Sequence, residues 1–165
     1  MADIVIRPAT PDDAAAVAVI YNQGIEDRLA TLETELRSAD ERRQWMAARA
    51  ERHPVIVAER GGSVIGWGSL NPFNPRRAYD HVVDLSLYVE RAWRGRGVGR
   101  LLLARLIELA REHDYHKMVL AAFPFNAAGM ALYERMGFTT VGVYREQGLL
   151  DDKWVDVIVM ERILS

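Results

Sequence analysis

A mixed α/β (α+β) fold, with helices packed on one central sheet, is predicted by three features of the sequence. Apolar residues at Val98, Leu102, Leu106 and Leu109 recur at helical spacing, whereas "HVVDLSLYV" (residues 81–89) alternates with the period of a strand. Two β-rich runs flank Gly61-Gly62, a tight-hairpin signal. The 165 residues suit a single domain over 1–165, and their 50% hydrophobic content is enough for one core.

The elements follow in order. "DIVIRPA" reads as a first strand. Thr10 then precedes Pro11 and two aspartates, the pattern of an N-cap, a proline at the first helical position and acids in the first turn. "EDRLATLETELR" has no period and reads as a loop. Ser38 stands three residues before Glu41, a capping box that opens a helix in "SADERRQWMAARAERH". The hairpin "PVIVAER"/"SVIGWGSL" comes next, and "NPFNPRRAYD" connects it to the following strand. There Val83, Leu85, Leu87 and Val89 share one face, and Asp84, Ser86 and Tyr88 the other. "VGRLLLARLIELAREH" is a long helix, "HKMVLAAF" a buried strand, and "NAAGMALYERMG" a helix closed by Gly137 at the C′ position. "FTTVGVYREQG" and "KWVDVIVMERIL" are two last strands joined by a polar turn. The order is β-α-α-β-β-β-α-β-α-β-β, about seven strands and four helices, without internal repeat or linker.

Composition narrows the function classes. A net charge of -2 and a pI near 6.1 provide no basic field to draw nucleic acid or a membrane surface. No cysteine is present, which excludes disulfides, thiolate metal sites and a cysteine nucleophile. The N-terminus lacks a signal-peptide pattern, and no apolar run approaches the roughly 20 residues of a membrane span. A soluble, cytoplasmic protein is expected. His53, His81, His113 and His116 form no ligand pattern, so no metal is expected.

The stretch "RGRGVGR" (Arg94 to Arg100) carries the chemistry. It lies where a strand ends near Glu90 and a long helix starts near Gly97. The first turn of a helix holds amides without intrahelical partners, and the dipole adds partial positive charge there. Glycines leave those amides open to an anion, which describes a pyrophosphate site. The spacing of Gly95, Gly97 and Gly99 departs from the Rossmann fingerprint, and the Walker lysine is absent. A basic turn without a ligand is the plainer alternative.

Arg94, Gly95, Arg96, Gly97, Val98 and Gly99 match the Gln/Arg-x-x-Gly-x-Gly/Ala signature of the GNAT superfamily of acyl-CoA-dependent N-acetyltransferases, and the whole element order resembles that family. The resemblance implies the GNAT fold, a mixed and mostly antiparallel sheet splayed where coenzyme A enters. It further implies that Arg94 and the residues from Gly95 through Arg100 grip the CoA pyrophosphate. Leu87, Tyr88 and Val89 would pair with the pantetheine arm. "NAAGMALYERMGF" is similar to a second family segment, which implies that Asn126 contacts the CoA arm and Tyr133 lies near the thioester sulfur. Gly129 stands where many relatives carry serine or alanine.

Within the family, "NPFNPRRAYDHVVDLSLYV", "GVYREQGLLDDKWVDVIVM" and "ATLETE" resemble the phosphinothricin and methionine sulfoximine N-acetyltransferases. "YNQGIEDR" resembles their arsinothricin-acetylating branch. Such acceptors are glutamate-like amino acids with an anionic or polar head group, which arginine holds through paired hydrogen bonds. Arg76 matches the family's arginine, and Arg77 takes that role if the loop shifts. Arg28 is a third candidate, and Phe73 and Leu32 are candidates for the apolar wall. Without cysteine, direct attack of the amine on the thioester of acetyl-CoA is the economical mechanism. Asp84 occupies the family's carboxylate position, where relatives commonly have glutamate. It acts as general base, directly or through water, or else makes a structural hydrogen bond. As a base it needs burial to lift it above its ordinary value near 3.9. Strand amides near Leu87 or Val89 would polarise the carbonyl, and Tyr133 would meet the departing thiolate. The resemblance also implies a homodimer. Two other readings remain open: a GNAT enzyme acting on a protein N-terminus or lysine, and a catalytically silent acyl-CoA-binding module.

Overall fold

The computed structural model describes residues 3–29 and 31–164. Its elements begin with β1 (Val5–Pro8), α1 (Ala14–Glu26), α2 (Ala39–Ala47), β2 (Val55–Arg60) and β3 (Ser63–Pro72). They continue with β4 (Val82–Val89), α3 (Val98–Glu112), β5 (Lys117–Ala122), α4 (Ala127–Arg135), β6 (Thr139–Leu150) and β7 (Lys153–Ile163). The elements come in the order the sequence predicts. The β2–β3 hairpin turns at Gly61 and Gly62, both at positive φ (59° and 83°).

Two helix bounds depart from the sequence reading. Thr10 caps a 3-10 turn, Pro11–Asp13, and α1 proper starts only at Ala14. Asp13 is the reason: its carboxylate takes two bonds from Arg7 of β1 (2.8 and 2.9 Å) and one from the Thr10 amide (2.7 Å), pinning that turn to the sheet. The second helix starts as expected, with Ser38 Oγ accepting from the Glu41 amide, but it ends at Ala47 rather than near residue 53. Just beyond it, the Arg49 guanidinium is drawn to the Leu70 carbonyl and the Asn71 side chain.

One seven-stranded sheet runs in the order β1-β2-β3-β4-β5-β7-β6, antiparallel except where β4 lies parallel to β5. On one face α3 buries Val98, Leu102, Leu103 and Leu106 in a core shared with Met118, Phe138 and Met160. On the other, Val17 and Ile20 of α1 pack against Val57 and Trp67. Burying a leucine or isoleucine side chain contributes about 1.5–3 kcal/mol, so these stripes hold the helices to the sheet. No helix among the described residues is long and apolar enough to cross a membrane.

The β4–β5 seam positions the site. Only Val82, Val83 and Asp84 pair with β5, opposite Lys117, Met118 and Val119. Beyond Asp84 the two parallel strands part, and β4 continues to Val89 without a neighbour on that side.

Candidate active site

A cleft of about 850 Å³ lies over the unpaired half of β4. Leu87, Tyr88 and Val89 line it from the strand, Arg94, Gly95, Gly97, Gly99 and Arg100 from the turn into α3, and Asn126, Gly129, Leu132 and Tyr133 from α4. Gly97 is the N-cap of α3 and has no side chain to cap it, so the first-turn amides are left without intrahelical acceptors. Gly95 and Gly97 adopt φ of 77° and 86°, and a Cβ on either would meet nothing within 4 Å. Backbone conformation, not crowding, requires glycine at these two positions. Gly99 differs: a Cβ there would come within 3.2 Å of Leu132 on α4.

The arginines of the turn are not equivalent. Arg94 lines the cleft and donates to Asp27 at 2.6 Å, while Arg91 donates to the same carboxylate at 2.9 and 3.0 Å. Those two guanidinium groups, Arg91 first, hold the Asp27 carboxyl below its ordinary range. Arg100 lines the cleft, whereas Arg96 lies over the Trp93 ring, 5.0 Å from its centroid. Val98 buries its side chain in the core, leaving only its backbone for the turn.

Asn126 is the N-cap of α4, its Oδ1 accepting from the Gly129 amide at 3.1 Å. A Cβ at Gly129 would lie 2.6 Å from Asn126 Nδ2, so the Asn126 side chain would have to shift to admit one. Gly129→Ala is therefore expected to dislodge the Asn126 cap and to lower stability by about 1 kcal/mol, read as a reduced Tm. An unchanged Tm would show that the cap tolerates the methyl group.

Tyr133 lines the cleft, whereas Asp84, on the last rung that β4 shares with β5, is not among the lining residues. Asp84 is half-buried, and burial pushes it up to about 6, against the opposing bonds from Asn71 Nδ2 (3.3 Å) and the Leu85 amide. The lift that a base requires is thus present. Tyr133 is pushed up to about 12, first by burial and then by the Asp84 charge, so its hydroxyl keeps its proton at neutral pH. Tyr88 is raised as well by burial; its ring stacks on Trp67 with centroids 4.8 Å apart.

The five residues expected at the acceptor do not line the cleft. Arg76, Arg77 and Phe73 are exposed on the β3–β4 connection, where Arg76 caps the 3-10 turn Arg77–Tyr79 and Phe73 packs edge-on against Tyr79 (5.6 Å). The paired rungs Asn71–Asp84 and Pro72–Val83 bracket this connection, so it emerges beside Asp84. Leu32 and Arg28 belong to the α1–α2 connection, which is tied to the β6–β7 hairpin. Leu32 lies against Gly148, where an added Cβ would come within 2.6 Å, and Arg28 pairs bidentately with Asp151 at 3.1 Å on both oxygens. Ala30, the first residue of "ATLETE", lies outside the described residues.

The sequence profile of the Acetyltransferase (GNAT) family matches residues 21–138. The chain belongs to this family. Three relatives show the breadth of the acetyltransferase's likeness. The L-methionine sulfoximine/L-methionine sulfone acetyltransferase of Salmonella typhimurium is 34% identical over 157 residues, covering 94% of this chain and 92% of the relative. The crystal structure of the ribosomal-protein-alanine N-acetyltransferase from Brucella melitensis superposes with a TM-score of 0.93 at 40% identity, covering 97% and 99% of the two chains. That of a phosphinothricin acetyltransferase from Sinorhizobium meliloti in complex with acetyl-CoA gives 0.93 at 26% identity, covering 98% and 89%.

Some residues that shape the candidate site were not among the sequence candidates. Asp27 lies inside the quoted "YNQGIEDR", but its partner Arg94 is 67 positions away. Asn71 opens "NPFNPRRAYD", and only the β3–β4 register brings it to Asp84. Arg49 carries no local signal. Among the described residues no cluster of histidines and acids is arranged to hold a metal.

Proposed function

We propose that this single-domain enzyme transfers the acetyl group of acetyl-CoA to the α-amino group of a glutamate-like toxic amino acid. The acceptor class is phosphinothricin, methionine sulfoximine or sulfone, or arsinothricin, and acetylation would confer resistance. The observation that carries the reading is the place of Asp84: on the last rung shared by β4 and β5, between the cleft-lining end of β4 and the arginine-bearing connection.

The residues fit acetyl-CoA. Bare amides and the dipole of α3, with Arg94 and Arg100, suit a diphosphate, and the free edge of β4 at Leu87, Tyr88 and Val89 suits an amide-bearing arm. Bound acetyl-CoA supplies an activated thioester carbonyl. Asp84 takes a proton from the acceptor ammonium, directly or through one water, which releases the nitrogen lone pair for attack. Amides of β4 near Leu87 or Val89 donate to the carbonyl oxygen as negative charge develops. The Tyr133 hydroxyl, still protonated, donates to the departing sulfur. Arg76, or Arg77 in its place, clamps the acceptor's anionic groups, with Phe73 and Leu32 as apolar walls; Arg28 is already engaged by Asp151.

Thiol release from acetyl-CoA, measured with those amino acids and with an N-terminal peptide, tests the proposal. Turnover with the amino acids supports it. Turnover with the peptide alone favours a protein N-terminus as acceptor, the reading that the 40% identity to the Brucella enzyme supports. Arg76→Ala is expected to raise the acceptor KM about 10-fold to 100-fold, as for the loss of a charge-assisted pair, with little change in the acetyl-CoA KM. Equal changes in both would remove Arg76 from the clamp. A homodimer belongs to the same proposal: β6 is an edge strand with exposed Val141, Val143 and Tyr144, and Trp154 of β7 is exposed beside it.

A further inference from the structure

Behind Asp84, on the α1–α2 face of the sheet, lies a polar network outside the reaction steps above. Three cross-strand pairs stack along β3 and β4: Trp67 opposite Tyr88, Ser69 opposite Ser86, and Asn71 opposite Asp84. Asn71 uses both ends of its amide. Its Oδ1 accepts from Ser69 Oγ at 2.9 Å and from Arg49 Nη2 at 2.7 Å. Its Nδ2 donates to Ser86 Oγ at 3.0 Å and to Asp84 Oδ2 at 3.3 Å.

We propose that Asn71 is a positioning residue for Asp84, anchored by Arg49, and that it occupies one carboxylate oxygen so that the other is presented to the acceptor. This rests on the reading of Asp84 as the base. A flipped amide would turn its two N–H groups on the Arg49 guanidinium, which has no acceptor, so the orientation is determined by the charge behind it. Arg49 is itself immobilised: Nε donates to the His53 carbonyl at 3.0 Å, Nη2 also reaches the Leu70 carbonyl, and the guanidinium stacks 4.3 Å from the Trp45 ring centroid. Burial lowers Arg49 to about 10, which still leaves it charged at neutral pH. Positive charge, amide dipole and carboxylate then lie in series, each stabilising the next.

Among the described residues, Tyr133 of α4 is an ionisable group influenced by the Asp84 charge, and it is neutral in this range. On β5 the partner of Asp84 is the apolar Val119, and Lys117 and Glu161 beyond it are paired with each other at 2.5 Å. With the Leu85 amide, the Arg49–Asn71 relay is therefore a favourable electrostatic influence on an otherwise desolvated carboxylate. Without it, Asp84 should hold its proton to higher pH.

The test replaces Asn71 with leucine, of similar shape, and with aspartate, which keeps an acceptor for Arg49 and Ser69. The Asp84 carboxyl is titrated by carbon NMR in the free enzyme, alongside the pH profile of kcat/KM, which also reports the free enzyme. In Asn71→Leu both midpoints should rise by about one pH unit, a tenfold loss at pH values below the new midpoint that recovers near pH 9. Asn71→Asp should raise them further, because two carboxylates then share the rung. An Asp84 midpoint unmoved in both folded variants overturns the proposal. A moved NMR midpoint with an unmoved kinetic limb keeps Asn71 as the partner of Asp84 and instead removes Asp84 as the base.

Discussion

Asp84→Asn is expected to lower kcat by about two to four powers of ten and to abolish the limb of the pH profile near 6, because general-base catalysis contributes about that much. The same substitution should raise stability. The folded protein holds the Asp84 proton up to about 6, against an ordinary value of 3.8, so it binds that proton more tightly than the unfolded chain does. Ionisation of Asp84 therefore costs stability progressively as pH rises from 3.8 through 6, reaching about 2–3 kcal/mol at neutral pH. A neutral amide avoids that cost and can still accept from Asn71 Nδ2. At pH 7.5 the Tm of the variant should exceed that of the parent by several degrees, and the gain should vanish below about pH 4. Opposite signs for activity and stability make the result decisive. If Tm falls together with kcat, the carboxylate is holding the fold rather than accepting a proton; if the pH profile survives, the base lies elsewhere.

Gly97→Val should have the next largest effect, and on one substrate only. At φ 86°, Gly97 sits in the left-handed region, where an L-residue costs about 1–2 kcal/mol and a β-branched one more. The added atoms meet nothing within 4 Å, so the penalty acts through the backbone, not through a clash. The turn must either carry that strain or rearrange, and rearrangement misaligns the first amides of α3. The KM for acetyl-CoA is expected to rise about 10-fold to 100-fold, which corresponds to about 1.4–2.8 kcal/mol, with a much smaller change for the acceptor. Gly97→Asn, tolerated in this region, should remain close to the parent. Calorimetry that finds acetyl-CoA bound to the valine variant as tightly as to the parent would remove the turn from the cofactor site.

The contrast between these two residues shows where local information runs out. Glycine and arginine at a strand-to-helix turn are readable because the causes are local: the end of one period, the start of another, and residues able to adopt positive φ. The same holds for the Gly61-Gly62 hairpin, the Ser38 cap and the parity that puts Asp84 on the face of Tyr88 rather than that of Leu85. Asp84's environment is not local. Residues 73–81 join β3 to β4 through a connection too long to dictate which residues face each other, and a slip of one would turn Asn71 to the opposite face. Arg49 ends α2 early for the sake of acceptors 21 and 22 positions later, and Asp27 meets Arg94 across 67. Arg28, a candidate for the acceptor, is drawn instead to Asp151 by a hairpin 123 positions away.

By itself the sequence determined the element order, the sheet-and-helix class, the glycine-arginine turn into α3 and the carboxylate on β4, since periodicity, capping and backbone propensity act within a few residues. Only the tertiary structure decided how far β4 and β5 stay paired, which groups surround Asp84, and which arginines are already engaged. Desolvation and hydrogen-bond partners depend on what packs from elsewhere in the chain, and no short stretch carries that information.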